Sequence, residues 1–432
     1  MMRNLPKATR PQSRSLMGWL CACLLAMTQT GLAHAEDSTA YDLAPPPQNT
    51  GLRVSGFGTL GYWLSNGPDD LQFRRELGQN LNRLERHHER ADSRLGLQLN
   101  YQSSDRLEWV GQVVAREKSD NRVFNSVEWA FVKYRPTDDT EVRLGRVGLA
   151  TFMLSDYRNV GYAYHWVRPP TEFYGWIPFY SLDGGDVVQT FRVGEGHLKT
   201  KLFGGMTHTG MPWGSDSYPL GAHILGIGAA WETDEWRLRA YHTRLKFTRN
   251  APFEQLTPYL QAAAPLWPSG AQYIDDLKLQ GKELSYSVIG VTWDHDGWQL
   301  ASEVALTKSQ TQFSPQGISA YWSIGKRIDK WLPFVSFARS WDLTQLKLAA
   351  PPPGFNLEPL AANLVDAYRA THTDQYTASA GVRWDFADHM ALKLQWDRTV
   401  VSVDGTQMWG YGSVPWNGAP KHVWSATLDF AF

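Results

Sequence analysis

Residues 93–116 read SRLGLQLNYQSSDRLEWVGQVVAR, two runs of alternating character joined by a short polar link. Leu95, Leu97, Leu99 and Tyr101 fall on one face, with Arg94, Gln98 and Asn100 on the other. After Gln102-Ser103-Ser104-Asp105, Leu107, Trp109, Val113 and Ala115 oppose Glu108, Gln112 and Arg116. A two-residue period over such lengths predicts β-strands, and the link predicts a hairpin. Alternation alone leaves two solutions open: a soluble sandwich with its apolar face inward, or a barrel with that face toward lipid and the polar face toward water.

The same pattern recurs along the chain. Val382, Trp384 and Phe386 alternate with Arg383 and Asp385, and Leu392, Leu394 and Trp396 with Lys393, Gln395 and Asp397. Connection length then separates the two solutions. Short turns at Gln102–Asp105, Pro136–Asp139, Val193–Gly196, Glu232–Glu235, Asp294–Gly297, Ile328–Lys330 and Ala387–His389 alternate with long connections. The long ones run over 65–92, 117–125, 147–184, 207–222, 248–282, 309–315, 341–373 and 402–420. Such alternation is the mark of an up-and-down barrel with short turns at one rim and long loops at the other, here with about 16 strands. The expected fold is therefore all-β, a transmembrane antiparallel up-and-down β-barrel over residues 52–432.

Composition agrees with export and a barrel. Residues 1–35 read as a secretory signal: Arg3, Lys7, Arg10 and Arg14 precede an apolar core from Leu16 to Met27 and an Ala33-His34-Ala35 cleavage site. A lipoprotein-type site at Cys23 is the alternative, with few apolar residues before it. Cleavage would remove both cysteines, and with them thiol and disulfide chemistry. It would move the formal charge from −1 to −5, since the segment holds four basic and no acidic residues, which offers no general reason to bind nucleic acid. Residues 36–51, with Pro45-Pro46-Pro47, read as a periplasmic lead-in. Aromatics make up 13% of the chain, with 20 Trp, at a mean hydropathy of −0.39. Lipid contact spread over alternate residues accounts for both values.

The chain resembles the Gram-negative outer-membrane porins. The likeness is carried by Val54-Ser55-Gly56-Phe57-Gly58, Val142-Arg143-Leu144-Gly145-Arg146, the pair SAGVRWDF and MALKLQWDR over 379–398, and the ending LDFAF. The stretch SDYRNVGYAYHWVRPPTEFY, 155–174, is also similar to a segment of poorly characterised proteobacterial porin-like proteins. In that family the third long loop folds into the lumen and narrows it, and the barrels form trimers. The resemblance thus implies an integral outer-membrane channel with both termini periplasmic, surrounded by lipid and lipopolysaccharide and passing small hydrophilic solutes. It implies no enzyme activity.

The third long connection here is 147–184, dense in aromatics and therefore expected to pack rather than to be disordered. Its charges and the strand entering it supply the constriction candidates: Arg143, Arg146, Asp156, Arg158, His165, Trp166, Arg168 and Glu172. Each could instead be a contact that fixes the loop to the wall. Tyr162, Tyr164, Trp166 and Tyr174 could stack on solute rings or pack on the barrel. Alternation points Arg94, Glu108, Gln112, Arg116, Arg143, Lys199, Lys201, Arg237, Arg239, Glu303, Arg383, Asp385 and Lys393 into the lumen. Cations outnumber carboxylates in that set, so a mild preference for anionic or hydroxylated solutes is expected.

No cofactor or metal is called for. Asp294-His295-Asp296 has metal-ligand residue types but falls in an expected hairpin turn, where Asp serves the backbone. Two other classes remain: a barrel-embedded hydrolase whose Ser/His pair converges only in space, and a receptor or adhesin using the loops 248–282 and 341–373.

Overall fold

The structure, a computed structural model, describes residues 51–66, 73–79, 87–119, 126–213, 216–314, 316–406 and 419–432. The expected signal (1–35) and most of the lead-in lie outside the described residues.

Sixteen long strands form one antiparallel sheet. They are β1 (Gly51–Ser65), β2 (Arg94–Ser104), β3 (Leu107–Arg116), β4 (Val127–Thr137), β5 (Thr140–Gly148), β6 (Ser181–Val193), β7 (Gly196–Trp213) and β8 (Asp216–Glu232). The second half comprises β9 (Trp236–Phe247), β10 (Glu283–His295), β11 (Trp298–Ser309), β12 (Gly317–Lys326), β13 (Trp331–Asp342), β14 (Thr373–Ala387), β15 (Met390–Thr406) and β16 (Lys421–Ala431). A two-residue strand, His87–His88, adds to the edge of β1.

Each strand pairs with its sequence neighbour, and β1 pairs with both β2 and β16, so the sheet closes on itself. Closure leaves the sheet without an end strand, as a sheet in lipid requires. At the seam the Gly56 and Phe432 main chains exchange hydrogen bonds of 2.8 and 2.9 Å. Gly56 and Gly58 leave room for the rings of Phe432 and Phe430, which occupy the space a Cβ would take.

The two faces differ as the alternation predicts. Leu95, Leu97, Leu99, Tyr101, Trp109 and Val113 are exposed on the outside, while Arg94, Glu108, Gln112 and Val114 are buried within. Leu144, Leu225, Ile227 and Ile289 are at least 60% exposed. No helix among the described residues is long and apolar enough to cross a membrane, so any crossing is made by strands.

The short turns behave as expected. In the turn between β10 and β11, Asp296 and Gly297 take φ of 49° and 73°, the left-handed pair that a tight hairpin needs. His295 there bonds Glu235 at 2.8 Å.

Three long connections differ from the sequence reading. The stretch 207–222, expected as a loop, is hairpin: β7 and β8 stay paired out to Trp213↔Asp216. Pro212 and Pro219 gave it the look of a loop. They are tolerated because β6 pairs with β7 only as far as Met206, and β9 with β8 only as far as Ala222, so the tip has a free edge on each side. The connection 248–282 carries a 3₁₀ turn (Pro252–Leu256) and two short helices (Thr257–Ala263, Pro268–Ala271). The connection 341–373 carries a helix over Glu358–Arg369. Phe253, Leu260, Trp267, Leu364 and Tyr368 from these connections join the buried core, together with Phe313 of the neighbouring connection 309–315.

Candidate functional site

Between β5 and β6 the chain runs from Leu149 to Tyr180 with only a 3₁₀ turn (Gly161–Ala163) and one helical turn, α1 (Thr171–Tyr174). Its polar groups bond to side chains on β9, β11, β12, β14, β15, β16 and β2. The segment therefore lies against the same face of the closed sheet as the buried Arg94.

Arg168 is the most heavily used anchor. Its guanidinium grips Asp92 in bidentate fashion (Nε–Oδ1 3.1 Å, Nη2–Oδ2 2.6 Å) and also donates to Asp397 (2.8 Å) and Ser425 (2.6 Å). All four side chains are buried. Burial alone would raise the Asp92 carboxyl, but Arg168 outweighs it and holds it below the usual range.

Next to it, His165 Nε2 and Trp166 Nε1 share Ser323 Oγ at 2.9 and 3.0 Å, and the His165 ring lies 5.0 Å from that of Phe334. Burial, then the charges of Lys393, Arg383 and Arg327, push the imidazole down to about 3, so it stays neutral at physiological pH.

Wall cations answer the loop's main chain. Lys393 Nζ donates to the carbonyls of Gly161 (2.6 Å) and Trp166 (3.0 Å), Arg383 to those of Tyr162 (2.7 Å) and Tyr164 (3.2 Å), and Arg94 to that of Asn159 (2.6 Å). Arg239 donates to Phe152 O. These bonds satisfy carbonyls that an irregular segment cannot pair by itself. Gly161 sits so close to the wall that a Cβ there would collide with Asp429, Thr59 and Arg94.

Aromatic packing completes the seam. Phe152, Phe173, Tyr174, Tyr286 and Tyr321 pack with ring centroids 5.1 to 5.9 Å apart. The buried Glu303 accepts from the hydroxyls of Tyr174 and Tyr321 and, at 3.0 Å, from the Met153 amide. On the other flank Tyr180 lies between the guanidinium groups of Arg116 and Arg158, each 3.8 Å from its ring centre. Arg116 and the Tyr180 hydroxyl both bond Glu76 from the first long connection. Burial opposes the Glu76 charge, but Arg116, Arg158 and Arg75 prevail and bring it to about 2.

Three further groups of charges, from β1 and β3 to β9, are arranged differently, in triads of two cations about one carboxylate. Asp186 serves Arg143 (2.5 Å) and Lys201 (3.6 Å). Glu232 serves Arg237 (2.8 Å) and Lys199 (3.2 Å), and Glu108 serves Lys133 (2.7 Å) and Arg53 (3.2 Å). Each triad carries one surplus positive charge. Across from Arg143 the loop presents Asp156, which is exposed.

The expected lumen residues Arg94, Glu108, Arg116, Lys199, Lys201, Arg237, Arg239, Arg383 and Lys393 all stand on the inward face. The constriction candidates divide. Asp156 is exposed and Arg143 half-buried, whereas Arg158, His165, Trp166, Arg168 and Glu172 are buried between loop and wall. Arg146 corrects the reading: it shares the outward face with Leu144 and pairs with Asp183 at 2.7 Å, because Gly145 continues the two-residue alternation through that stretch. Tyr164, Trp166 and Tyr174 are likewise buried. Sequence reasoning missed Asp92, Asp186, Glu76 and Lys133. Extending the register of Arg94 back by two residues would have found Asp92; nothing in the sequence marks Glu76.

No protein-family model matches the chain, and no curated protein matches it. Solved structures do. The anion-selective porin from Comamonas acidovorans superposes with a TM-score of 0.50 at 12% identity, over 89% of this chain and 100% of that one. The chain has the porin fold. OmpT, an outer-membrane protein of Vibrio cholerae, matches at 11% identity over 89% of this chain and 99% of that one, with a TM-score of 0.46. A mutant Rh. blastica porin matches at 11% over 88% and 100%, at 0.44. At these identities the likeness concerns the fold alone. Within this porin-fold barrel the bonded inner loop and the triads opposite it form the candidate site.

Proposed function

We propose that the chain is an outer-membrane channel for passive diffusion of small hydrophilic solutes, and that its passage favours anions and hydroxylated compounds. One observation carries the reading: a closed sheet whose outward face is apolar and exposed while its inward face is charged. Such a wall is stable only with lipid outside and water or polar groups within. The solute path in this reading runs between the loop at Ser155, Asp156 and Tyr157 and the triads about Asp186, Glu232 and Glu108. There the surplus positive charge attracts anions without requiring their full desolvation. A homotrimer within lipid and lipopolysaccharide is the assembly that goes with this reading.

Reconstitution in a planar bilayer tests it. Discrete conductance steps are expected, with a reversal potential of anion-selective sign in a salt gradient. A barrel that passes no ions overturns the channel, and cation selectivity overturns the role of the triads. Unheated protein that migrates as a monomer overturns the trimer.

A further inference from the structure

Four of the carboxylates that tie the inner loop to its surroundings have cationic partners: Asp92 and Asp397 have Arg168, Asp429 has Lys393, and Glu76 has Arg116. Glu172, on α1 and 1% exposed, differs. Its partners are neutral: Gln375 Nε2 at 2.6 Å, the Thr377 hydroxyl and, at 3.2 Å, the Thr171 hydroxyl. α1 packs on β12, β13 and β14. The charged inward groups of those strands are engaged elsewhere: Asp342 by Tyr368, Arg383 by Asp385 and the loop carbonyls, and Asp385 by Arg327. Tyr321, their titratable tyrosine, bonds Glu303. The charge that reaches Glu172 is that of Asp397, which repels it.

An isolated carboxylate in such a place loses its hydration and gains no counter-ion. Two details point to how this is avoided. The 2.6 Å separation is short for an amide N–H donor, whose usual range centres near about 2.9 Å, and ordinary for O–H donating to oxygen. The buried Gln375 Oε1, as placed, has no donor. Turning the amide by half a rotation, which exchanges its nearly indistinguishable ends, brings that oxygen to Glu172 as an acceptor.

We propose that Glu172 is held as the neutral carboxylic acid, its hydroxyl donating to the side-chain oxygen of Gln375, and that α1 is a latch on β14 that slackens when this proton is lost to solvent. Burial of the group, which raises its affinity for the proton, acts in the same direction. On ionisation the O–H donor disappears, two acceptors face each other, and a charge stands beside Asp397. Thr377 and Thr171 still donate, so the expected result is a loosened turn rather than an unfolded barrel. Glu303 also takes neutral donors, so the test must isolate Glu172.

The experiment uses the full chain folded in detergent micelles and needs no transport, so it stands apart from the channel reading. Infrared spectra at about pH 7 are compared between wild type and Glu172→Gln, which keeps the shape and cannot ionise. A protonated-carboxyl C=O band present in wild type and missing from the variant is expected, fading in wild type as pH rises. Hydrogen exchange of the Tyr174 and Gly175 amides, which bond Pro170 and Thr171 carbonyls, supplies the second readout. At about pH 6 the two proteins should exchange alike, and at about pH 9 wild type should exchange roughly tenfold faster, the factor one pK unit carries. Identical infrared spectra at neutral pH overturn the protonated acid. A band that titrates while the exchange rates stay equal overturns the latch.

Discussion

Replacing Arg168 by Met keeps the length and apolar stem of the side chain and deletes its guanidinium. The structure sets the size of the effect. Four hydrogen bonds to two carboxylates and a hydroxyl disappear, and Asp92 and Asp397 remain buried with their main cation gone. A charge-assisted bond contributes about 1.5–3 kcal/mol, and breaking a buried pair from one side costs about 3–5 kcal/mol because a charge is stranded. The second figure applies here, since the two carboxylates can protonate or draw in water and so cap the loss. About 3–5 kcal/mol should therefore leave the docking of the loop, while the ladder of the barrel is untouched. The docked loop would then be released locally before the sheet unfolds. Limited proteolysis reads this directly, as cleavage within 155–174 in Arg168→Met and not in wild type, and single-channel records should show a larger and noisier open level. The triple variant Arg168→Met, Asp92→Asn, Asp397→Asn should recover more than half of the loss, since no charge is stranded. A single variant that resists protease like wild type and conducts identically would refute the assignment of Arg168 as the principal anchor.

Gly161→Val puts a side chain where Asp429, Thr59 and Arg94 already lie, and should cost about 1–3 kcal/mol as overpacking, seen as a lowered urea midpoint at unchanged slope. Reversing the charge of Lys201 and Arg237 together should move the reversal potential toward cations, whereas Trp166→Ala, at a position buried against Ser323, should leave ion selectivity unchanged and lower stability by about 3–5 kcal/mol. His165 binds its proton less readily folded than unfolded, so its contribution is complete above about pH 6.5 and falls away as pH drops toward 3; His165→Gln should flatten that part of the acid unfolding curve. Glu76 runs in parallel with the opposite cause: its charge is stabilised, so its contribution is present above the ordinary carboxyl range and lost as pH falls toward 2, and Glu76→Gln should remove it.

The barrel was legible because its signal is periodic and local. Leu95 to Tyr101 and Leu107 to Ala115 declare their faces without reference to anything distant, and the exposed Leu95, Leu97 and Leu99 against the buried Arg94, Glu108 and Gln112 follow that alternation. The β7–β8 tip was missed because its prolines are forbidden only where a neighbouring strand needs their N–H, and neighbourhood is not written in a composition. The helices in 248–282 and 341–373 were missed because they owe their order to distant apolar partners, as the shared burial of Leu260, Leu364 and Phe313 of the 309–315 connection shows. The inner loop was the opposite case: its location was suggested by its length and aromatics, but which charge meets which was not. His165, Arg168 and Glu172 read as solute-facing because they are polar in a watery lumen, and they are buried because Asp92, Ser323, Asp397 and Gln375 lie across from them, 76 to 229 residues away in sequence.

The wall takes hold of the inner loop largely through its carbonyl oxygens, by way of Arg94, Arg239, Arg383 and Lys393. A peptide oxygen is common to all twenty amino acids, so this kind of attachment is indifferent to which residue supplies it. Asp156, exposed at the tip, can then be exchanged, by evolution or by an engineer, with the mounting left as it is. A barrel built this way separates the part that filters from the part that fastens, and a new preference would need only a new tip.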